Sequence, residues 1–190
     1  MEKPGEIRGG HIDLGCVCIG SAMRGLYLIS VWLHILAAAA WIGGMLFLGL
    51  VLVPALRKPP LSDNKAVLLY RTGLRFRQVG WISLLVLVLT GVINLGIRGY
   101  GWMDAWNGAL WQGQWGSVLA AKLLMVAGVL ILSAVHDFYV GPKAVEQMER
   151  LPDETQSHRL RRMASWMGRI TLLLSLAILG LAVSLPRGGL

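Results

Sequence analysis

From Gly25 to Leu56 the chain contains no Asp, Glu, Lys or Arg. The hydrocarbon core of a bilayer takes about 20 apolar residues in helical form, so this run is long enough to cross it at a tilt. Three more apolar runs follow, and spans are expected at about residues 26–53, 79–97, 117–140 and 168–185. Strands of a membrane barrel need only about ten residues of alternating polarity, a pattern these runs do not have. A water-soluble bundle keeps a polar face on each helix, and these segments have none. Charged residues make up 15% of the 190-residue chain, against about 25% in ordinary globular domains. The fold class is therefore an all-α integral membrane protein, a four-transmembrane-helix bundle.

The net charge of +8 is a topology signal and not a nucleic-acid footprint. Arg57, Lys58, Lys65, Arg71, Arg75 and Arg77 lie between the first two runs, Lys143, Arg150, Arg159, Arg161 and Arg162 lie between the third and fourth, and Arg169 lies just inside the fourth. The N-terminal segment, the second loop and the tail hold only Lys3, Arg8, Arg24, Arg98 and Arg187. Because Lys and Arg favour the cytoplasmic side, the two basic loops are expected there and both termini outside. The basic residues also suit anionic lipid headgroups; no nucleic-acid partner is expected.

Residues 23–190 form the expected transmembrane domain, and residues 1–22 read as an extension with no signal-peptide pattern, expected to be disordered. Their two cysteines, Cys16 and Cys18, set no disulfide framework. In the first loop, Pro59 and Pro60 stop the helix, and Ser62 is placed to cap a short interfacial helix with Val67, Leu68 and Leu74 toward lipid. The third loop, "GPKAVEQMERLPDETQSHRLRR", reads as solvated. The second holds Trp102, Trp106, Trp111 and Trp115, indoles that favour the membrane–water interface. They serve equally as a lid over a site, or as a platform for a quinone, a respiratory partner or another subunit.

Ionisable groups inside a span cost about 2.5–3.5 kcal/mol at the centre, so each requires a reason. They are His34, Lys122, His136 and Asp137, joined by the amide Asn94 and the hydroxyls Ser83, Thr90, Ser133 and Ser175. At a rise of about 1.5 Å per residue, His34 and Asn94 lie roughly 8 Å, and Lys122 roughly 10 Å, outside the midplane. His136 lies roughly 10 Å on the cytoplasmic side, a vertical gap from His34 of roughly 18 Å. One metal ion or haem iron is therefore not ligated by both. Lys122, Met125, Val129, Ser133 and His136 share one helix face, which is expected to point into the bundle.

Around His34 stand Ala37, Ala38 and Trp41, with Gly43 and Gly44 beyond. Small residues leave room for a flat porphyrin ligated through imidazole, or equally for close helix packing. Lys122 and Asn94 then complete the site, or Lys122 snorkels outward. His136 with Asp137 reads as a proton-transfer pair, a second metal ligand site or an interfacial anchor. Arg75 and Arg77 are placed to hold haem propionates, or to act as inside-positive anchors. Copper is the alternative cargo: Cu(I) favours soft thioethers and accepts imidazole, so His34, Met45 and Met125 would line a passage.

The segments "LHILAAAAWIGGMLFLGLVLVPAL", "RFRQVGWISLLVLVLTGVINL" and "LAAKLLMVAGVLILSAVHDFYVGP", with the closing helix that ends "SLPRG", resemble the copper-resistance D (CopD) family of inner-membrane proteins. They are also similar to HemJ-type protoporphyrinogen oxidases. The likeness runs from Trp32 to Gly188. It implies a four-helix core, a functional first-helix histidine and third-helix lysine at His34 and Lys122, and a later histidine at His136. On the oxidase side it implies haem b; on the copper side, movement of copper across the inner membrane beside a periplasmic copper protein. The leading expectation is a redox centre, haem b for electron transfer, on His34 with Lys122 and Asn94. The alternatives are copper transport and a structural subunit in which His34 only packs.

Overall fold

The computed structural model describes residues 14–57, 59, 65–150 and 155–184, and among these every regular element is helical. Four helices are long and apolar enough to cross a membrane: Met23–Ala55, Val67–Ile97, Gly113–Ala144 and Arg162–Val183. Their outward faces are apolar, with Leu50, Leu124 and Leu173 at 71%, 75% and 65% exposure. Those exposures would be intolerable in water and are natural against lipid. This is a multi-pass membrane protein.

The first helix begins at Leu14 and continues without interruption into the first span, so residue 22 marks no break in the backbone. The second helix is one piece over Lys65–Ile97. The separate interfacial helix expected around Val67, Leu68 and Leu74 is instead the beginning of the second span; the expected cap, Ser62, lies outside the described residues. Helix also replaces most of the expected solvated third loop, as Gly141–Arg150 and then a helix starting at Thr155. In both loops, hydrogen-bond propagation from an adjoining long helix extends regular structure past the apolar run.

Two stretches wind more widely, as π-helix, over Phe47–Leu52 and His136–Val140. Each is followed two residues later by a proline, Pro54 or Pro142. A proline has no N–H for the carbonyl four residues back and its ring clashes with that carbonyl. Those carbonyls belong to Leu50 and Phe138, inside the widened turns, so the ladder opens where an α-turn would collide.

The first and second spans pack as one antiparallel pair and the third and fourth as another, with the first also touching the fourth. Glycine sets the closeness of the first pair: a Cβ at Gly80 would lie 2.6 Å from the Trp41 ring. Trp41 stacks on Phe76 with centroids 5.8 Å apart. Trp41, Leu84 and Val129 form the buried centre, with Met45, Phe76, Leu87 and Leu174 against it.

The connector between the second and third spans turns at Gly99, Gly108 and Gly113, all with positive φ, a region glycine enters without steric cost. Asp104 Oδ2 accepts the Gly101 N–H at 2.7 Å and caps a short helix, Trp102–Trp106. Trp102 and Trp106 stand 85% and 88% exposed, which suits the membrane interface. Tyr100 stacks on Trp115, and Trp111 Nε1–H donates to the Ala105 carbonyl. The connector folds back on itself and leaves two indoles facing outward.

Candidate functional site

His34 is half-buried between the first two spans, with Nδ1 2.7 Å from Thr90 Oγ1. The same hydroxyl lies 2.6 Å from the Val86 carbonyl and 3.3 Å from that of Leu87. A threonine has one hydroxyl proton, and both carbonyls can only accept it. With the hydroxyl donating to the Val86 carbonyl, its oxygen accepts from a ring protonated at Nδ1. In that neutral tautomer Nε2 is the nitrogen through which an imidazole binds a metal. Ser30 Oγ–H donates to the Thr90 carbonyl at 3.4 Å and ties the same turn to the first helix. Gly91 supports the ring from the side: a Cβ there would stand 3.8 Å from His34 Cε1.

The buried centre fixes what faces His34. Trp41, Leu84 and Val129 meet in one layer. Seven residues outward on each helix, about two turns and hence on the same faces, stand His34, Gly91 and Lys122. Lys122 is half-buried. Asn94, one turn beyond Thr90, has a buried Oδ1 with no hydrogen-bond partner among the described residues.

The inward seam of the third helix takes the expected form: Val129 and Ser133 are buried, while Leu123, Leu124 and Ile131 face outward. At its far end His136 and Asp137 form a separate cluster. His136 Nδ1 lies 3.0 Å from Asp137 Oδ1, Trp81 Nε1–H donates to Asp137 Oδ2 at 3.1 Å, and Arg77 Nη1–H donates to the Asp137 carbonyl at 3.3 Å. Arg77 also lies over the Phe138 ring, 5.6 Å from its centroid. Trp81 and Thr90 are nine residues apart on one helix, roughly 13 Å, so the two histidines serve different places. Among the described residues no three His, Cys, Asp or Glu side chains gather as a metal cluster.

Arg75 and Arg77 do not act together. Arg77 turns inward to Asp137 while Arg75 lines an outward-facing groove with Arg71. Residues two apart on a helix point nearly opposite ways, so the two guanidinium groups meet different surroundings. Of the small residues near His34, Ala37 is buried, and a methyl at Gly91 would make ordinary contact with the ring. The side chains of Cys16 and Cys18 lie outside the described residues.

The part of Thr90 in holding the ring is not evident from sequence spacing alone. A hydroxyl at mid-span was visible, but its partner depends on how the two helices align. The same holds for Trp81, whose indole N–H needs an acceptor when buried; the intramembrane carboxylate of Asp137 was the available signal.

Fold and site together define a four-span membrane protein with an oriented imidazole inside the bundle. Residues 70–185, more than half of the chain, match the family described as copper resistance protein D, and the chain belongs to that family. An uncharacterized protein of Aquifex aeolicus (strain VF5) is 32% identical over 161 residues, covering 84% of this chain and 95% of the relative. No solved structure matches. The family links the protein to copper resistance and gives no support to haem b or electron transfer.

Proposed function

We propose that this protein passes copper through a bacterial inner membrane, with His34 as the first ligand inside the bundle. The observation that supports this reading is the geometry at Thr90, where a hydroxyl that donates to the Val86 carbonyl can accept from His34 Nδ1–H and leave Nε2 to meet a metal. A ligating histidine characteristically donates its other ring N–H to an oriented partner, and here the partner is a threonine hydroxyl. Cu(I) accepts imidazole and thioether together. Met125 stands on the Lys122 face one turn deeper, and Met45 packs against the central Trp41–Leu84–Val129 layer. These positions give a descending series of soft donors from His34 to the core.

The distribution of Lys and Arg places the arginine-rich end in the cytoplasm and the tryptophan connector on the outer face. Copper then enters beside His34, where a periplasmic copper protein is the fitting donor. Lys122 acts against occupancy, because an ammonium near a bound cation repels it; its position sets how readily the ion enters.

Reconstituted vesicles containing a Cu(I)-specific chelating dye test the proposal. Wild-type protein and His136→Gln should admit copper, and His34→Ala should reduce the rate at least tenfold. Wild-type rates in a correctly folded His34→Ala protein would reject the assignment of His34.

A further inference from the structure

Toward the arginine-rich end, two hollows lie along the second helix. The first, about 210 Å³, lies between the first two spans, where Ala40, Gly44, Phe76 and Val79 are among the residues that line it. The second, about 590 Å³, is lined by Arg71, Leu74, Arg75 and Gln78. Arg75 belongs to both. Glycine at 44 lets the Phe76 ring close against the first helix at the floor of this hollow, where a Cβ would overlap the ring.

The geometry points to a bound phospholipid with a net-negative headgroup, its phosphate on Arg71 and Arg75 and one acyl chain along the notch beside Gly44. This site is independent of the copper reading and lies nearer the opposite end of the first two spans from His34. Arg71 and Arg75 are one turn apart on the same helix face, where like charges repel, and an anion between them removes the repulsion. Among the described residues no carboxylate pairs with either. Guanidinium groups favour phosphate because they bind it through two parallel N–H donors. From Arg71 to Val79 the groove runs roughly 12 Å along the helix, most of one leaflet of a hydrocarbon core about 30 Å thick. The basic end meets headgroups and the apolar end meets acyl chains, so polarity along the groove matches polarity along a lipid.

Native mass spectrometry of the full chain, released from nanodiscs of equal phosphatidylglycerol and phosphatidylcholine, tests this. Wild-type protein should retain phosphatidylglycerol in preference to phosphatidylcholine. Arg71→Gln/Arg75→Gln should lower that retention at least fivefold. Val79→Trp, which fills the notch at a lipid-facing position and leaves both charges in place, should lower it as well. Lys143→Gln, an exposed cation elsewhere at the same end, should retain the wild-type preference. Undiminished phosphatidylglycerol on the double variant, or an equal loss in Lys143→Gln, would overturn the proposal.

Discussion

Thr90→Val removes the hydroxyl that holds the His34 ring while keeping a β-branched side chain of similar volume, so it opens no cavity. What is lost is the acceptor for His34 Nδ1–H, 2.7 Å away. The proton that Thr90 gave to the Val86 carbonyl at 2.6 Å is also lost, but that carbonyl lies within a helix and keeps its ladder bond. Interhelical hydrogen bonds in membranes average about 0.6 kcal/mol and reach about 1.7. A donor left unsatisfied costs about 1–3 kcal/mol. His34 is only half-buried, which limits the penalty, and a loss of about 1–2 kcal/mol is expected. The assay is the unfolding midpoint of detergent-solubilised protein titrated with sodium dodecyl sulfate. Thr90→Ser, which keeps the hydroxyl, should lose less than about 0.5 kcal/mol, in the range of ordinary mild substitutions. In a double-mutant cycle with His34→Ala the two losses should not add, since the residues touch. Copper affinity should fall about 10–100-fold in Thr90→Val, as when other partners that orient a ligand are removed. If Thr90→Val matches wild type in both stability and copper affinity, or if the cycle is additive, the ring is not held in the way inferred.

Three further changes probe other parts of the structure. Gly80→Ala places a methyl 2.6 Å from the Trp41 ring and should destabilise by about 1–3 kcal/mol through overpacking, read from the same unfolding titration; a neutral result would mean the first two spans separate easily. Trp81→Phe keeps an aromatic ring near Phe138 but removes the donor to Asp137 Oδ2 at 3.1 Å. Hydrogen bonds to charged groups contribute about 1.5–3 kcal/mol, so a loss near the lower figure is expected in the unfolding titration, with copper binding at His34 unchanged. Lys122→Met removes an ammonium at the level of His34 and adds a thioether, so copper affinity by competition with a Cu(I) chelator should rise about tenfold, equivalent to about 1.4 kcal/mol; a fall would make Lys122 part of the binding site.

The four spans were legible because a charge-free run as long as Gly25–Leu56 has few other places to go. The inward face of the third helix followed from spacing alone, since Val129 and Ser133 recur at helical period. Continuity past the apolar runs was harder to read: Lys65 to Leu74 has a polar stripe that suits a surface helix, yet in three dimensions it extends the second span. The widened turns were signalled by Pro54 and Pro142 but need the clash four residues back to be recognised. Arg75 and Arg77 looked like neighbours in sequence, although two residues along a helix separate them by more than half a turn. The pairing of His34 with Thr90 depends on how two long antiparallel helices align. That alignment is set by Gly80 under Trp41 and Gly91 under His34, contacts between helices that neither helix specifies alone.

The copper account depends on Nε2 of His34 as the nitrogen that meets the metal. X-ray absorption at the copper K-edge of Cu(I)-loaded protein is the most direct test, because imidazole gives a distinctive ring-scattering pattern. Wild-type protein and His136→Gln should both show it, and His34→Gln should lose it. An unchanged imidazole pattern in His34→Gln would place the copper on another ligand and contradict the account.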